Sequence, residues 1–191
     1  MEKKEWTSNI FTVTNVFSKE ECQNYIDYTE NIGFADAPIT TAMGPVMSPG
    51  IRNNTRVMFD NEEMAKKLWE RVKPFVPEKC EGKKSLGLNE RFRFYRYDPG
   101  QRFAPHGDGH YTRENGERSI FTFMIYLNED CEGGETKFFF MPLLGQKEEL
   151  VIKPQTGMAL LFKHAIIHEG ATVVSGRKYV LRSDVMYTRG Y

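Results

Sequence analysis

"RSIFTFMIYLNEDCEGGETKFFFM", residues 118–141, is the stretch on which the fold turns. β-branched and aromatic residues fill both ends, and "EDCEGG" between them is turn chemistry. Two such runs broken by a turn read as short strands with no helix between them. Outward from there the same texture recurs in "LNERFRFYRYDPG" (88–100), "EELVIKP" (148–154), "GMALLFKHAIIHEGATVV" (157–174) and "RKYVLRSDVMYTRG" (177–190). "DPG", "LLGQ" (143–146), "KPQTG" and "VSGR" supply the turns. Short strands with regular turns imply an antiparallel sandwich or barrel.

Before residue 88 the pattern is helical. In "FSKEECQNYIDYTENIGF" (17–34) Ser18 and Glu21 form a capping box, and Cys22, Tyr25, Ile26 and Tyr28 or Ile32 keep an apolar stripe. In "DNEEMAKKLWERVKPFVP" (60–77) Asp60 and Glu63 repeat the cap, Met64, Leu68, Val72 and Phe75 follow at helical spacing, and Pro74 closes the helix. Between the two, residues 36–57 read as a long loop punctuated by Pro and Gly. The expectation is one domain over 1–191, mainly β with N-terminal helices. A helical support region and long loop occupy 1–87, and a β-barrel core occupies 88–191.

The chain has 191 residues and a formal net charge of +0, so no global field favours nucleic acid or an anionic membrane. Cys22, Cys80 and Cys131 are odd in number and share no CxxC spacing, which argues for reduced thiols. "MEKKEWTSNIF" has no apolar signal core, and the longest apolar run, "FFFMPLL" (138–144), is too short to span a bilayer. These features predict a soluble, cytoplasmic protein; they say nothing of oligomeric state.

Four histidines carry the chemistry. In "PHGDGH" (105–110), His106 and Asp108 stand two apart, so on an extended chain both face one way and can close on one ion. Alone they make an incomplete site, and a Gly-rich polar turn produces the same pattern. His164 and His168 are four apart between strand-like flanks, where four residues span roughly 13 Å. At most one of them can then join the ion. His168, which ends an apolar run, is the better candidate, and His164 reads as a packed histidine. Two histidines and a carboxylate with open positions suit non-haem iron(II), although zinc is chemically possible.

Four ordered motifs give these residues a family context. Tyr97 precedes His106 by nine residues in "YDPGQRFAPHGD"; "MIYLNED" (124–130) is followed by "GGET" (133–136); "VIKPQTGMALLF" spans 151–162; and "HEGATVVSGRK" places Lys178 ten residues after His168. The chain resembles the 2-oxoglutarate- and iron(II)-dependent dioxygenases, within them the prolyl 4-hydroxylase-like group. The resemblance implies a double-stranded β-helix (jelly-roll) barrel with a helical support layer. It implies a hydroxylase using Fe(II), O2 and 2-oxoglutarate as co-substrate. His106, Asp108 and His168 would be the metal ligands and catalytic centre. Lys178 would bind the distal carboxylate of 2-oxoglutarate, Tyr126 would hydrogen-bond the same group, and Tyr97 would line the pocket.

Alternation in "KYVLRSD" puts Lys178, Arg182 and Asp184 on one face. That face is solvent-exposed in a simple sheet and turned inward in a barrel with a polar site. Arg182 is then a second candidate to anchor 2-oxoglutarate, or a group for an anionic substrate. His110, Tyr111, Asn54 and Arg56 could line the mouth or be merely solvated. The competing readings are a metal-dependent barrel enzyme that does not use 2-oxoglutarate, and a non-catalytic binding module on the same fold. The substrate class left open is a prolyl residue, a free amino acid or another metabolite, with neither nucleic acid nor membrane as partner.

Overall fold

The structure, a computed structural model, describes residues 1–41, 43–140 and 148–189. The chain opens with a hairpin, β1 (Glu2–Thr7) and β2 (Ile10–Thr14), then helix α1 (Lys19–Ile32). Short strands β3 (Ala35–Asp36), β4 (Ile39–Thr41) and β5 (Gly44–Val46) precede β6 (Thr55–Asp60) and helix α2 (Glu62–Val72). Next come β7 (Lys79–Cys80), β8 (Lys83–Leu88), β9 (Arg91–Tyr97), β10 (Phe103–His106) and β11 (Arg118–Tyr126). The last seven are β12 (Cys131–Gly133), β13 (Thr136–Phe140), β14 (Glu148–Ile152), β15 (Ala159–Lys163), β16 (His168–Gly170), β17 (Val173–Gly176) and β18 (Lys178–Tyr187). The expected "LLGQ" turn lies outside the described residues.

The large sheet runs β1-β2-β15-β11-β18-β9-β6-β3, with β8 added to β18 and β7 to β8. A smaller sheet, β10-β16-β13-β14, faces it. Every pairing named is antiparallel. This is the jelly roll, and the period-2 alternation of its strands explains how it encloses a site.

On β11, Phe121, Phe123 and Ile125 join one apolar cluster with Phe92 and Phe94 of β9 and Leu181 of β18. Cys22, Ile26, Leu68 and Trp69 of the two helices complete that layer. The opposite face gives the second cluster, with Tyr95, Tyr97, Tyr126, Leu160, Phe162 and Val180. One side of the large sheet therefore buries the helices, and the other looks into the barrel. Lys178, Arg182 and Asp184 fall on the barrel side, and Lys178 is only 2% exposed.

The helices form much as the spacing predicts. Ser18 caps α1, its Oγ accepting from Glu21 N–H at 3.0 Å while its own N–H donates to Glu21 at 2.8 Å. The buried stripe is Cys22, Ile26 and Thr29, not Tyr28 or Ile32, which are 52% and 50% exposed. The turn of 3.6 residues carries Thr29 onto the core face, where its hydroxyl is satisfied by the Tyr25 carbonyl at 2.8 Å. The cap of α2 is Asn61, which accepts from Met64 N–H at 2.9 Å. Asp60 is instead the last residue of β6, held by Arg91 opposite it at 2.9 Å.

The division at residue 87 does not survive. β1, β2, β6 and β8 belong to the large sheet, because β2 pairs with β15, β6 with β9, and β8 with β18. The charged texture of β1 and the shortness of β2 hide two strands, of which β2 has a partner distant in sequence. Likewise 36–57 is not one loop: it holds the β4–β5 hairpin and the start of β6.

Gly157 locks the start of β15 against the N-terminal segment. It has φ +77, its carbonyl accepts from Val16 N–H at 2.9 Å, and a Cβ there would lie 2.1 Å from the Phe17 carbonyl oxygen. Backbone cannot yield as a flexible side chain does. Gly157→Ala should cost more than about 2 kcal/mol and lower Tm by roughly 4 °C or more, read by thermal unfolding. An unchanged Tm would contradict this packing.

Candidate active site

Strand register builds the centre. β10 and β16 pair antiparallel with His106 opposite His168, and Phe138 of β13 flanks His168 on its other side. Asp108 follows in the glycine turn, where its N–H donates to the His164 carbonyl at 2.8 Å. The donor atoms of His106, Asp108 and His168 all lie within 4.8 Å of one another. Each imidazole Nε2 is 3.6 Å from a different Asp108 oxygen.

Both rings are oriented from behind. His106 Nδ1 meets the Ala104 carbonyl at 2.8 Å, and His168 Nδ1 meets the Ile166 carbonyl at 2.9 Å. A carbonyl only accepts, so Nδ1 carries the proton and Nε2 keeps a free lone pair toward the centre. Burial pushes the His168 imidazole down to about 4, more than the neighbouring Asp108 carboxylate raises it, so the ring is neutral at ordinary pH. For Asp108, burial acts upward, but Arg182, His106 and His168 together hold its carboxyl well below the usual range. A neutral His168 imidazole and an ionised Asp108 carboxylate, with the His106 ring aimed at the same point, fit a divalent iron.

Sequence reasoning missed Thr122. Its hydroxyl donates to Asp108 Oδ2 at 2.6 Å and, having one proton, accepts from His164 Nδ1 at 2.9 Å. His164 Nε2 then accepts from Ser119 Oγ at 2.8 Å, and Ser119 Oγ accepts from Tyr111 N–H at 2.9 Å. A directional string thus runs from the 107–118 loop to the Asp108 carboxylate. His164 is kept out of the centre not by an extended strand but by the turn between β15 and β16. Burial lowers its pKa, which favours the neutral form this string requires. The available signal was a threonine on the inward face of an otherwise apolar strand. Thr122→Val should weaken iron affinity about 10–100-fold by anaerobic titration; unchanged affinity would show that the string does not tune the metal site.

Lys178 lies across the ladder from Tyr97 and shares one cavity with the three donors. Its Nζ donates to the Gly134 carbonyl at 2.6 Å and sits 5.1 Å from the Tyr97 ring and 5.6 Å from the Tyr126 ring. Burial pushes it down to about 8, against weaker opposite pulls from Cys131 and Glu135. No carboxylate pairs with this ammonium among the described residues. Tyr97 lines the cavity. Tyr126 is fully buried, and its hydroxyl is bonded to Thr136 Oγ1 at 2.7 Å; Thr136 is the one that lines the cavity.

Arg182 does not sit free beside Lys178 as a second anchor. Its Nη1 is 2.9 Å from Asp108 Oδ1, and Nη2 is 3.7 Å from Asp184. Arg182 follows Lys178 by four positions along β18, and its guanidinium lies at the Asp108 end of the cavity. Outside it, His110, Tyr111 and Arg56 line the mouth, while Asn54 is buried and holds Arg52 Nε at 2.7 Å.

Histidine, carboxylate and histidine donors on a jelly roll, with a buried cation further in, mark the non-haem iron oxygenases as the class. Residues 92–183 match the family model of the 2OG-Fe(II) oxygenase superfamily. That match takes in just under half of the chain; with the prolyl 4-hydroxylase relatives and structural neighbours it supports a 2-oxoglutarate- and Fe(II)-dependent oxygenase, prolyl 4-hydroxylase-like, and such an oxygenase implies Fe(II), 2-oxoglutarate and O2 as cofactors. The chain is 25% identical to prolyl 4-hydroxylase 1 of Arabidopsis thaliana over 203 residues, covering 91% of this chain and 67% of that one. Its fold resembles the viral collagen prolyl hydroxylase of Paramecium Bursaria Chlorella virus-1 in its 2-oxoglutarate complex. That match has a TM-score of 0.63 and 21% identity, over 95% of this chain and 97% of that one. It also resembles a Trichoplax adhaerens prolyl hydroxylase bound to a hypoxia inducible factor peptide. Here the TM-score is 0.70 at 15% identity, over 94% and 84% of the two chains.

Proposed function

We propose that the protein hydroxylates an unactivated C–H bond of a small-molecule or peptide substrate while 2-oxoglutarate is decarboxylated to succinate and CO2. The observation that carries this is a single cavity lined by both the His106, Asp108 and His168 donors and Lys178. Iron(II), when bound, supplies the oxidising chemistry with O2. The chain's residues do the rest. His106, Asp108 and His168 hold the metal, with the carboxylate fixed by Thr122 and Arg182. Lys178 takes the distal carboxylate of 2-oxoglutarate, which gives a buried ammonium the partner it lacks. Tyr97 and Tyr126 flank that ammonium and exclude water, and Thr136, which lines the same cavity, offers its hydroxyl as a further hydrogen-bonding group.

The relatives named as prolyl 4-hydroxylases, and the neighbour that binds a peptide, support a prolyl residue as one substrate to try first. Three free cysteines support a reducing, cytoplasmic setting. No helix among the described residues is long and apolar enough to cross a membrane. The test is anaerobic loading with iron(II) and 2-oxoglutarate, then oxygen, with succinate quantified and candidate substrates weighed for a gain of one oxygen. Succinate that requires iron supports the proposal. Iron binding without succinate, across a panel of prolyl peptides and amino acids, would favour a non-catalytic module.

A further inference from the structure

The mouth of the cavity carries more positive charge than the site itself needs. It is a recess of about 400 Å³ that shares His106 and Asp108 with the inner cavity. Four arginines line it: Arg52, Arg56, Arg93 and Arg182. Two of these are matched by carboxylates. Arg182 pairs with Asp108 at 2.9 Å, and Arg93 reaches Asp184 at 3.4 Å. Arg52 and Arg56 have no carboxylate within 4.0 Å among the described residues.

Arg52 is the more telling of the two. It is 5% exposed, with its guanidinium 4.5 Å from the Tyr95 ring and 4.5 Å from the Phe103 ring. Its Nε is spent on the neutral Asn54 amide, and its buried Nη2 has no hydrogen-bond partner. A buried guanidinium nitrogen left without an acceptor is unfavourable unless a ligand brings one. Stacking between two rings holds the planar fork in one orientation, the geometry that suits bidentate carboxylate recognition. Arg56 lines the same recess, half-buried and destabilised as a cation first by burial and then by Arg52 and Arg93. Pro38, Ile39 and Ile51 line the same recess and give it apolar surface for an aliphatic skeleton.

We infer that the substrate presents a carboxylate to Arg52 and Arg56 while its aliphatic carbons turn toward the metal donors. This deepens the hydroxylase proposal and rests on it. A carboxylate can come from a free amino acid or from an acidic residue next to a prolyl in a peptide, and paired probes separate the sources. L-proline and L-prolinamide differ by one carboxylate; so do acetyl-Pro-Glu-amide and acetyl-Pro-Gln-amide.

Binding is measured by calorimetry on protein loaded with iron(II) and 2-oxoglutarate without oxygen. The expected result is that the carboxylate member of one pair binds about tenfold tighter or better. That preference should fall below about threefold in Arg56→Gln and in Arg52→Gln. Because Arg52 is packed between two rings, Arg56→Gln decides the matter if Arg52→Gln does not fold. Equal binding within both pairs, binding by none of the four, or a preference that survives Arg56→Gln overturns the inference. Succinate released by the wild type on admitting oxygen scores the hydroxylase proposal separately. Succinate without carboxylate preference overturns the inference alone; no succinate overturns the proposal beneath it.

Discussion

Asp108→Ala should abolish iron-dependent succinate formation and weaken iron binding by more than about 100-fold in anaerobic titration. Removing a hydrogen-bonding partner of a metal ligand already costs about 10–100-fold, and here the ligand itself is lost. The electrostatics add to this. Asp108 is the carboxylate that meets Arg182 at 2.9 Å, and its side chain is only 4% exposed. Without it, a buried guanidinium faces the two imidazoles and repels an incoming cation. Asp108→Asn keeps the shape but not the charge, and should bind iron nearly as poorly. If either variant retained wild-type iron affinity, the metal would be held elsewhere.

Lys178→Met should weaken 2-oxoglutarate binding roughly 100-fold or more, since a carboxylate carried into a buried pocket would lose its paired cation. The same change should stabilise the ligand-free protein. The sign follows from linkage. The folded-state pKa of Lys178 is pushed down to about 8 from its ordinary 10.5, so the folded form binds this proton less readily than the unfolded one. Burial of the ammonium is therefore unfavourable below about pH 8, and the penalty is relieved as pH rises from 8 toward 10.5. Replacing the ammonium by an apolar chain removes that penalty below pH 8. In the wild type, 2-oxoglutarate requires the protonated form. Its affinity should be flat below pH 8 and fall about tenfold per unit above it, until the complex itself loses the proton. Thermal unfolding of both proteins without ligand, and titrations from pH 6 to 10, check both arms. A variant with wild-type affinity would move the anchor from Lys178 to another residue.

The site was more legible than the scaffold because its residues are tied to short spacings. His106 and Asp108 are two apart, and only ten residues, through the short strand β17, lead from His168 to Lys178, so linear order reports spatial neighbourhood. The inward direction of Lys178 could be argued from alternation only once a barrel was assumed. What escaped depends on long-range pairing. β1 and β2 look like a polar N-terminal segment until β15 is placed beside β2. Thr122 is one polar residue in a strand until the fold brings Asp108 and His164 onto its hydroxyl. Arg52 and Asn54 sit in a stretch whose Pro and Gly content reads as loop, and nothing local says that Tyr95 and Phe103 close over the guanidinium. The 164–168 spacing, read as extended strand, sets His164 aside for the wrong reason, since a turn after β15 keeps it from the centre, and its part in the string to Asp108 depends on that turn.

The most direct measurement is a crystal structure of the anaerobic complex with iron(II) and 2-oxoglutarate. The account predicts one metal ion bonded to Nε2 of His106, Nε2 of His168 and an Asp108 oxygen, with the distal carboxylate of 2-oxoglutarate on Lys178 Nζ. A metal bound away from those three donors, or 2-oxoglutarate held by Arg182 with Lys178 still on the Gly134 carbonyl, would contradict it.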